Sequence, residues 1–219
     1  MAVGGEIDLR ERNIASRLKV TAREKIAGII LSGGASRRMG TPKALLEFQG
    51  ETFLDRLIRI LGHVCDPIVV VVGKHGDRIR AGMVRRREVL FAENPDPDRG
   101  MLSSLQCGLS LVPPEADAAM FLPVDHPNIE IATVEILAAE FQTRRAPVTV
   151  PVYAGEHGHP VCIARALVEE LLALPPEAKA SDLIHRNVAR TIYVPVSDAA
   201  VITDVDDPAA YADLVARHS

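Results

Sequence analysis

At 219 residues with 47% hydrophobic side chains, the chain is long enough for one α/β domain with a sizeable core. A net charge of −4 excludes a general nucleic-acid binder, and 4% aromatics without tryptophan exclude a base-stacking surface. Cys65, Cys107 and Cys162 form no CxxC pair, and no run reaches the ~18 apolar residues of a membrane span, so a reducing cytoplasm is expected.

Residues 1–25 hold ten charged side chains and few large apolar ones, which predicts a flexible N-terminal extension before a single domain over 26–219. Ile26 to Leu31 is uncharged and isoleucine-rich, the composition of a strand buried on both faces. It runs into Ser32-Gly33-Gly34-Ala35-Ser36, five small residues whose backbone can turn sharply and bring N–H groups close to an anion. Arg37, Arg38 and Lys43 place three positive charges just beyond. The loop reads as a phosphate cradle, although its spacing matches neither Walker A nor GxGxxG. A glycine-rich strand-to-helix turn with no ligand is the alternative.

Farther on, Gln49-Gly50 predicts a turn and Thr52 an N-cap for a helix with Phe53, Leu54, Leu57, Ile58 and Leu61 on its buried face. Pro67 to Gly73 reads as a second buried strand, His75 to Arg87 as a helix with a basic, solvated end, and Val89 to Ala92 as a third strand. The polar loop from Asn94 to Gly100 leads into a helix from Met101 to Leu111. Ser103 and Ser104 stand at its start, where they either cap it or hold an anion. Ala118 to Val124 is a fourth strand that ends on Asp125-His126-Pro127. A carboxylate at the carboxyl end of a central parallel strand faces the crevice where open α/β sheets bind ligands, so Asp125 is the leading metal ligand.

A helix over 133–145 follows, then the strand 148–153, whose Pro151 suggests an edge or a bulge. Gly155 to Pro160 is a hairpin-like loop carrying His157 and His159, and Val161 to Ile163 leaves it as a strand. Residues 167–174 and 181–187 read as helices, 191–196 as a strand, and Asp204 to Pro208 as an acidic lead into a closing helix. Alternating strands and helices predict a three-layer α/β/α sandwich with a mostly parallel, Rossmann-like sheet.

An amide-rich cradle, Arg38, Lys43, Asp125, and the pair Asp204 and Asp206 suit phosphoryl transfer with Mg²⁺. No nucleophile elbow and no HExxH is present. An acceptor that is itself a phosphate needs no general base, because its second pKa of about 6 leaves it ionised.

LSGGASRRMGTPKALL resembles the signature loop of the molybdenum-cofactor nucleotidyltransferases, the cytidylyl- and guanylyltransferases of the MobA-like group. NPDPDRGMLSSLQCGL, PVDHP, GEHGHPV and TDVDDPAAY resemble four further motifs of those enzymes, in the same order. The resemblance implies the nucleotide-diphospho-sugar transferase fold. It implies nucleotide contacts from Leu31, Ser32, Gly33, Gly34, Ser36, Arg38, Lys43, Asn94, Ser103 and Ser104, with Arg38 at the β- and γ-phosphates and Lys43 at the α-phosphate. Asp125 would hold Mg²⁺, with Asp204 or Asp206 as a second ligand, and His159 would stand near the acceptor. The implied reaction moves CMP or GMP from CTP or GTP to a molybdopterin-type acceptor, and the product passes to a molybdoenzyme. Gly33 is closer to the guanylyl branch; Gly158-His159-Pro160 and the Ser103-Ser104-Leu105 segment are closer to the cytidylyl branch, so CTP is favoured. Two alternatives stand beside this reading: transfer to another phosphorylated acceptor, such as a sugar or small alcohol phosphate, and a non-catalytic nucleotide-binding or cofactor-chaperone subunit.

Overall fold

The computed structural model describes residues 24–34, 36 and 38–218. The expected extension over 1–25 lies almost wholly outside the described residues, as does Arg37. Ten strands and seven helices follow in chain order. The strands are β1 (Ile26–Ser32), β2 (Glu47–Phe48), β3 (Glu51–Thr52), β4 (Cys65–Val72), β5 (Leu90–Glu93), β6 (Ala118–Pro123), β7 (Val148–Tyr153), β8 (Glu156–His157), β9 (Val161–Ala164) and β10 (Thr191–Pro195). The helices are α1 (Phe53–Leu61), α2 (Gly76–Gly82), α3 (Met101–Leu109), α4 (Ile131–Arg144), α5 (Arg165–Leu172), α6 (Ala180–Arg186) and α7 (Pro208–Arg217).

The main sheet has the order β10-β7-β9-β6-β1-β4-β5, with β8 paired to β7. β1 is parallel to both β4 and β6, β4 to β5, and β7 to β10, whereas β9 is antiparallel to β6 and β7. Reversing β9 lets β6 and β7 run the same way as β1, so the carboxyl ends of β1, β4, β6, β7 and β10 open on one edge of the sheet.

Alternate residues of each strand feed two cores, one on either face. Ile26 and Ile30 of β1, Val70 of β4 and Met120 of β6 pack with Phe53, Leu57 and Leu61 of α1 and Leu137 and Phe141 of α4. Ile29, Val71, Phe121 and Ile163 face the other way, onto Leu105 and Leu109 of α3 and Val168 and Leu171 of α5. The three-layer sandwich is therefore as expected. Gly108 of α3 stands where a Cβ would come within 2.6 Å of Ile29, so the glycine lets this helix lie close on the central strand.

Local signals hold where they are self-contained. Thr52 caps α1 by accepting from Asp55 N–H, Gln49 and Gly50 adopt positive φ in the β2–β3 turn, and Asp207 caps α7 with Pro208 in its first turn. Two expectations need correction. The helix predicted over 75–87 stops at Gly82, so Arg85, Arg86 and Arg87 lie in a turn beyond it and are not a helix end. The cause is Asp55 of α1, buried at 3% exposure, whose carboxylate accepts from Val84 N–H at 3.0 Å and Arg85 N–H at 2.8 Å and diverts the backbone. Pro151 marks neither an edge nor a bulge: β7 is interior, and the proline sits where its antiparallel partner changes from β9 to β8. Asp55→Ala would orphan those two N–H groups and the Thr52 hydroxyl, which donates to Asp55 at 2.6 Å. A loss of about 3 kcal/mol in unfolding free energy is expected, read from the urea midpoint, with activity of the folded fraction retained.

Candidate active site

β1 delivers Leu31 and Ser32 to the edge of the sheet, and Ser36, at φ 47°, turns the following loop so that its hydroxyl accepts from Lys43 N–H at 3.1 Å. That bond sets the start of the 3₁₀ turn Lys43–Leu45 and with it the direction of the Lys43 side chain. From across the edge, β6 brings Val124 and Asp125, with Val124 N–H bonded to Leu31 C=O at 3.0 Å. The segment 203–207 closes the third side, held by Val205 N–H on Asp125 C=O at 2.8 Å.

These three segments surround a cavity of about 330 Å³ lined by Leu31, Ser32, Gly34, Ser36, Arg38, Pro42, Lys43, Val124, Asp125 and Asp206. Lys43 Nζ lies 2.9 Å from Asp125 Oδ2 and 2.6 Å from Asp206 Oδ1, and Arg38 Nη2 lies 3.0 Å from Asp206 Oδ2. Burial pulls the Lys43 ammonium down, but its hydrogen bonds to Asp206 and Asp125 outweigh that and hold its pKa above the usual lysine value. The Lys43 hydrogen bond, reinforced by the Lys43 and Arg38 charges, holds the Asp206 carboxyl below the ordinary range against a smaller opposing effect of burial.

Gly34 has open space around its Cβ position and a φ outside the left-handed region, so nothing among the described residues demands a glycine there. Gly73 differs: a Cβ would come within 2.5 Å of Gly33 C=O, so the end of β4 backs directly onto the loop. Composition alone did not single Gly73 out, though its place at the end of a buried strand was the available signal. Pro42 and Val124, both walls of the cavity, were likewise not expected to line it.

The remaining expected site residues fall into three groups. Asn94, Ser103 and Ser104 are buried behind the loop and bonded to one another, the Asn94 amide donating to Ser103 Oγ at 3.0 Å and Ser104 Oγ at 2.9 Å. Neither serine caps α3, whose N-cap is Gly100. Gly33 presses on this cluster, its Cβ position 3.0 Å from Ser104 Oγ. Asp204 is exposed and borders a different cavity, with Pro127, Asn128 and Arg217. Asp206, two residues on, is the one that shares the Lys43 ammonium with Asp125. His159 lies tilted against His126, with ring centroids 5.2 Å apart and 33° between the planes, and meets Phe121 edge-on at 6.3 Å. His126 is buried, with Nδ1 3.2 Å from Ala200 C=O.

Burial, together with the neighbouring His126 and against an opposing pull from Asp125, depresses His159 to about 4. The unfolded chain takes up this proton as pH falls through about 6.5, whereas the folded chain stays neutral until about 4. Stability is therefore lost over that window, by about 2 kcal/mol at pH 5. Urea midpoints at pH 7 and pH 5 for the parent and His159→Phe check this: the variant should lose less stability on acidification.

Among the described residues no three His, Cys, Asp or Glu side chains converge as a metal cluster. The donor set nevertheless fits a hard divalent cation. Asp125 and Asp206 are both within hydrogen-bonding distance of one ammonium, and an ion such as Mg²⁺ takes one or two carboxylates with substrate phosphates completing its shell.

Fold and site together define a nucleotidyltransferase: an α/β sandwich whose cavity, at the carboxyl edge of the sheet, brings a glycine loop together with Lys43, Arg38 and two carboxylates. Comparison with known proteins places it more narrowly. Residues 28–191 match the MobA-like NTP transferase domain, and the chain belongs to that family. It is 24% identical over 180 residues to the molybdenum cofactor cytidylyltransferase of Escherichia coli K12, covering 82% of this chain and 90% of that one. It is 30% identical over 166 residues to a probable molybdenum cofactor guanylyltransferase of Bacillus cereus strain B4264, covering 72% and 77%. The crystal structure of Rv0371c from Mycobacterium tuberculosis H37Rv superposes with a TM-score of 0.75 at 26% identity, covering 88% of this chain and 98% of that one. The manganese complex of Rv0371C superposes at 0.71. Among the described residues no helix is long and apolar enough to cross a membrane.

Proposed function

We propose that the protein transfers CMP from CTP to the terminal phosphate of a molybdopterin-type acceptor, releasing pyrophosphate, with Mg²⁺ as the metal. The observation that carries this reading is the convergence of Lys43, Arg38, Asp125 and Asp206 on one cavity beside an open glycine loop. Gly34 supports it, since a glycine with open space at its Cβ position suits a ligand that approaches the backbone.

In this reading the backbone from Leu31 to Gly34 and the hydroxyl of Ser36 face the nucleotide, Arg38 meets the β- and γ-phosphates, and Lys43 meets the α-phosphate. Asn94, Ser103 and Ser104 brace Gly33 and so shape the base side of the loop. Asp125 and Asp206 hold Mg²⁺, which supplies charge neutralisation on the phosphate oxygens. The acceptor phosphate, ionised at neutral pH, attacks the α-phosphorus, the bond to the β-phosphate oxygen breaks, and pyrophosphate leaves carrying the charge that Arg38 and Lys43 stabilise. No side chain need remove a proton, and positioning carries the rate.

The choice of CTP is supported by Gly158-His159-Pro160, which the cytidylyl branch shares and which lies against His126, the neighbour of Asp125. The 30% identity to a probable guanylyltransferase favours GTP as the second reading. Pyrophosphate release with Mg²⁺ and each of CTP, GTP, ATP and UTP, with and without molybdopterin-type cofactor, tests the proposal. Release that requires CTP and the pterin supports it. GTP dependence moves the protein to the guanylyl branch, and release with another phosphorylated acceptor alone rejects the pterin. A molybdoenzyme that receives the product is part of the same proposal.

A further inference from the structure

The carboxylates that suit a divalent cation are already engaged. Lys43 Nζ bonds Asp125 and Asp206 at 2.9 and 2.6 Å, and Arg38 closes on Asp206 from outside at 3.0 Å. Two cations against two anions leave the cluster formally neutral, so an approaching metal ion meets no net attraction. It must also displace an ammonium whose side chain is 12% exposed, on a residue whose backbone N–H is held by the Ser36 hydroxyl. Arg38, at 67% exposure, is the looser of the two.

We propose that Lys43 bars divalent cations from Asp125 and Asp206 until a triphosphate draws the ammonium away, so that nucleotide binding is the condition for metal binding. A triphosphate in the cavity brings several negative charges and strong acceptors within reach of Lys43 and Arg38. Both cations then have an alternative partner, and the carboxylates regain their net charge. Lysine suits this exchange because its ammonium is compact and its four-carbon stem rotates, whereas a guanidinium locked on a carboxylate would release it less readily. The loop and the two aspartates thus form a conditional metal site, opened by the substrate itself. The inference rests on reading the cavity as a triphosphate seat, and the experiment below separates the two.

Mn²⁺ is titrated into the nucleotide-free chain, and the free ion is followed by electron paramagnetic resonance. The parent is expected to show no saturable binding, whereas Lys43→Met, which leaves Asp125 without its cation and Asp206 with Arg38 alone, should bind Mn²⁺ at least about tenfold more tightly. Adding Asp206→Asn to Lys43→Met should abolish the gain, which shows that the ion sits on the carboxylates. Lys43→Arg, keeping the charge, should exclude Mn²⁺ as the parent does, and it guards against a gain caused by a collapsed loop. Equal Mn²⁺ binding by the parent and Lys43→Met overturns the proposal. With CTP or inorganic tripolyphosphate added, the parent should form a ternary complex whose water-proton relaxation enhancement exceeds that of Mn²⁺ with the phosphate compound alone. A parent that excludes Mn²⁺ in the presence of bound phosphate also overturns it. Calorimetry of CTP, GTP and tripolyphosphate in EDTA tests the parent reading separately: if none binds, the cavity is not a triphosphate seat, whatever Lys43 does to Mn²⁺.

Discussion

Asp125→Ala is expected to reduce nucleotide-dependent pyrophosphate release by at least about 10²-fold while leaving nucleotide binding in EDTA within a fewfold of the parent. The magnitude follows from losing one well-placed charged group on which transition-state charge depends. Lys43 reinforces the effect. Its ammonium bonds Asp125 and Asp206 together, so removing one carboxylate turns it fully onto the other and disturbs both ends of the cluster. Asp125 also gives its backbone C=O to Val205 N–H, and alanine keeps that bond, so the segment carrying Asp206 stays docked and the chain stays folded. Single-turnover assays at saturating CTP, alongside calorimetry, separate chemistry from binding. Unchanged turnover would remove Asp125 from the metal assignment. Loss of both binding and turnover would point to a nucleotide seat that depends on the carboxylate for its shape.

Gly158→Ala is expected to cost more than about 3 kcal/mol of stability, the largest effect of any single methyl group near the site. Its Cβ would stand 2.2 Å from the Val201 carbonyl oxygen and 2.6 Å from the carbonyl carbon, both backbone atoms with no rotamer to yield. Around it, Gly158 N–H bonds Pro151 C=O at 3.0 Å and His159 N–H bonds that same Val201 oxygen at 2.8 Å. Separating the 158–159 loop from the 3₁₀ turn Ala199–Ile202 would pull His159 from His126 and loosen the path from Val201 to Asp206. Thermal unfolding should show the loss directly, together with reduced activity at temperatures where the variant remains folded. Gly155→Ala is the contrast. Gly155 has φ of 87° but open space at its Cβ position, so only backbone strain of about 1–2 kcal/mol is expected. If both variants were equally mild, the Gly158 contact would not be the constraint.

The parts of this protein that the chain writes locally were legible. The apolar run Ile26 to Leu31 can satisfy its side chains only inside a sheet, and the small residues after it can do little but turn. Thr52 before Phe53 and Asp207 before Pro208 carry their caps in adjacent residues, so each helix start is readable without its neighbours. The place of Asp125 on the cavity wall was legible for the same reason, since it follows the buried strand β6 by two residues.

What failed to read depended on residues far away in the chain. The early end of α2 is imposed by Asp55, about thirty residues upstream, through backbone N–H groups that look ordinary in sequence. The hairpin-like loop 155–160 already implies that β9 runs against β7, but four apolar residues carry no local signal that they insert between β7 and β6. Ser103 and Ser104 look like caps, yet Asn94 takes their hydroxyls because the polar loop folds back beneath Gly33.

Asp204 and Asp206 show the division most sharply. Two residues apart, they would share one face of an extended segment, so spacing alone does not decide which of them reaches the cavity. Which one does is decided by Val205 docking its N–H on the Asp125 carbonyl, a contact across eighty residues that turns Asp206 toward Lys43 and leaves Asp204 in solvent. Local composition fixes the elements and their caps, because those energies are shared among neighbours along the chain. The pairing of charges in the cavity is left to the tertiary structure, because Coulombic attraction depends on distance in space and not on separation in sequence.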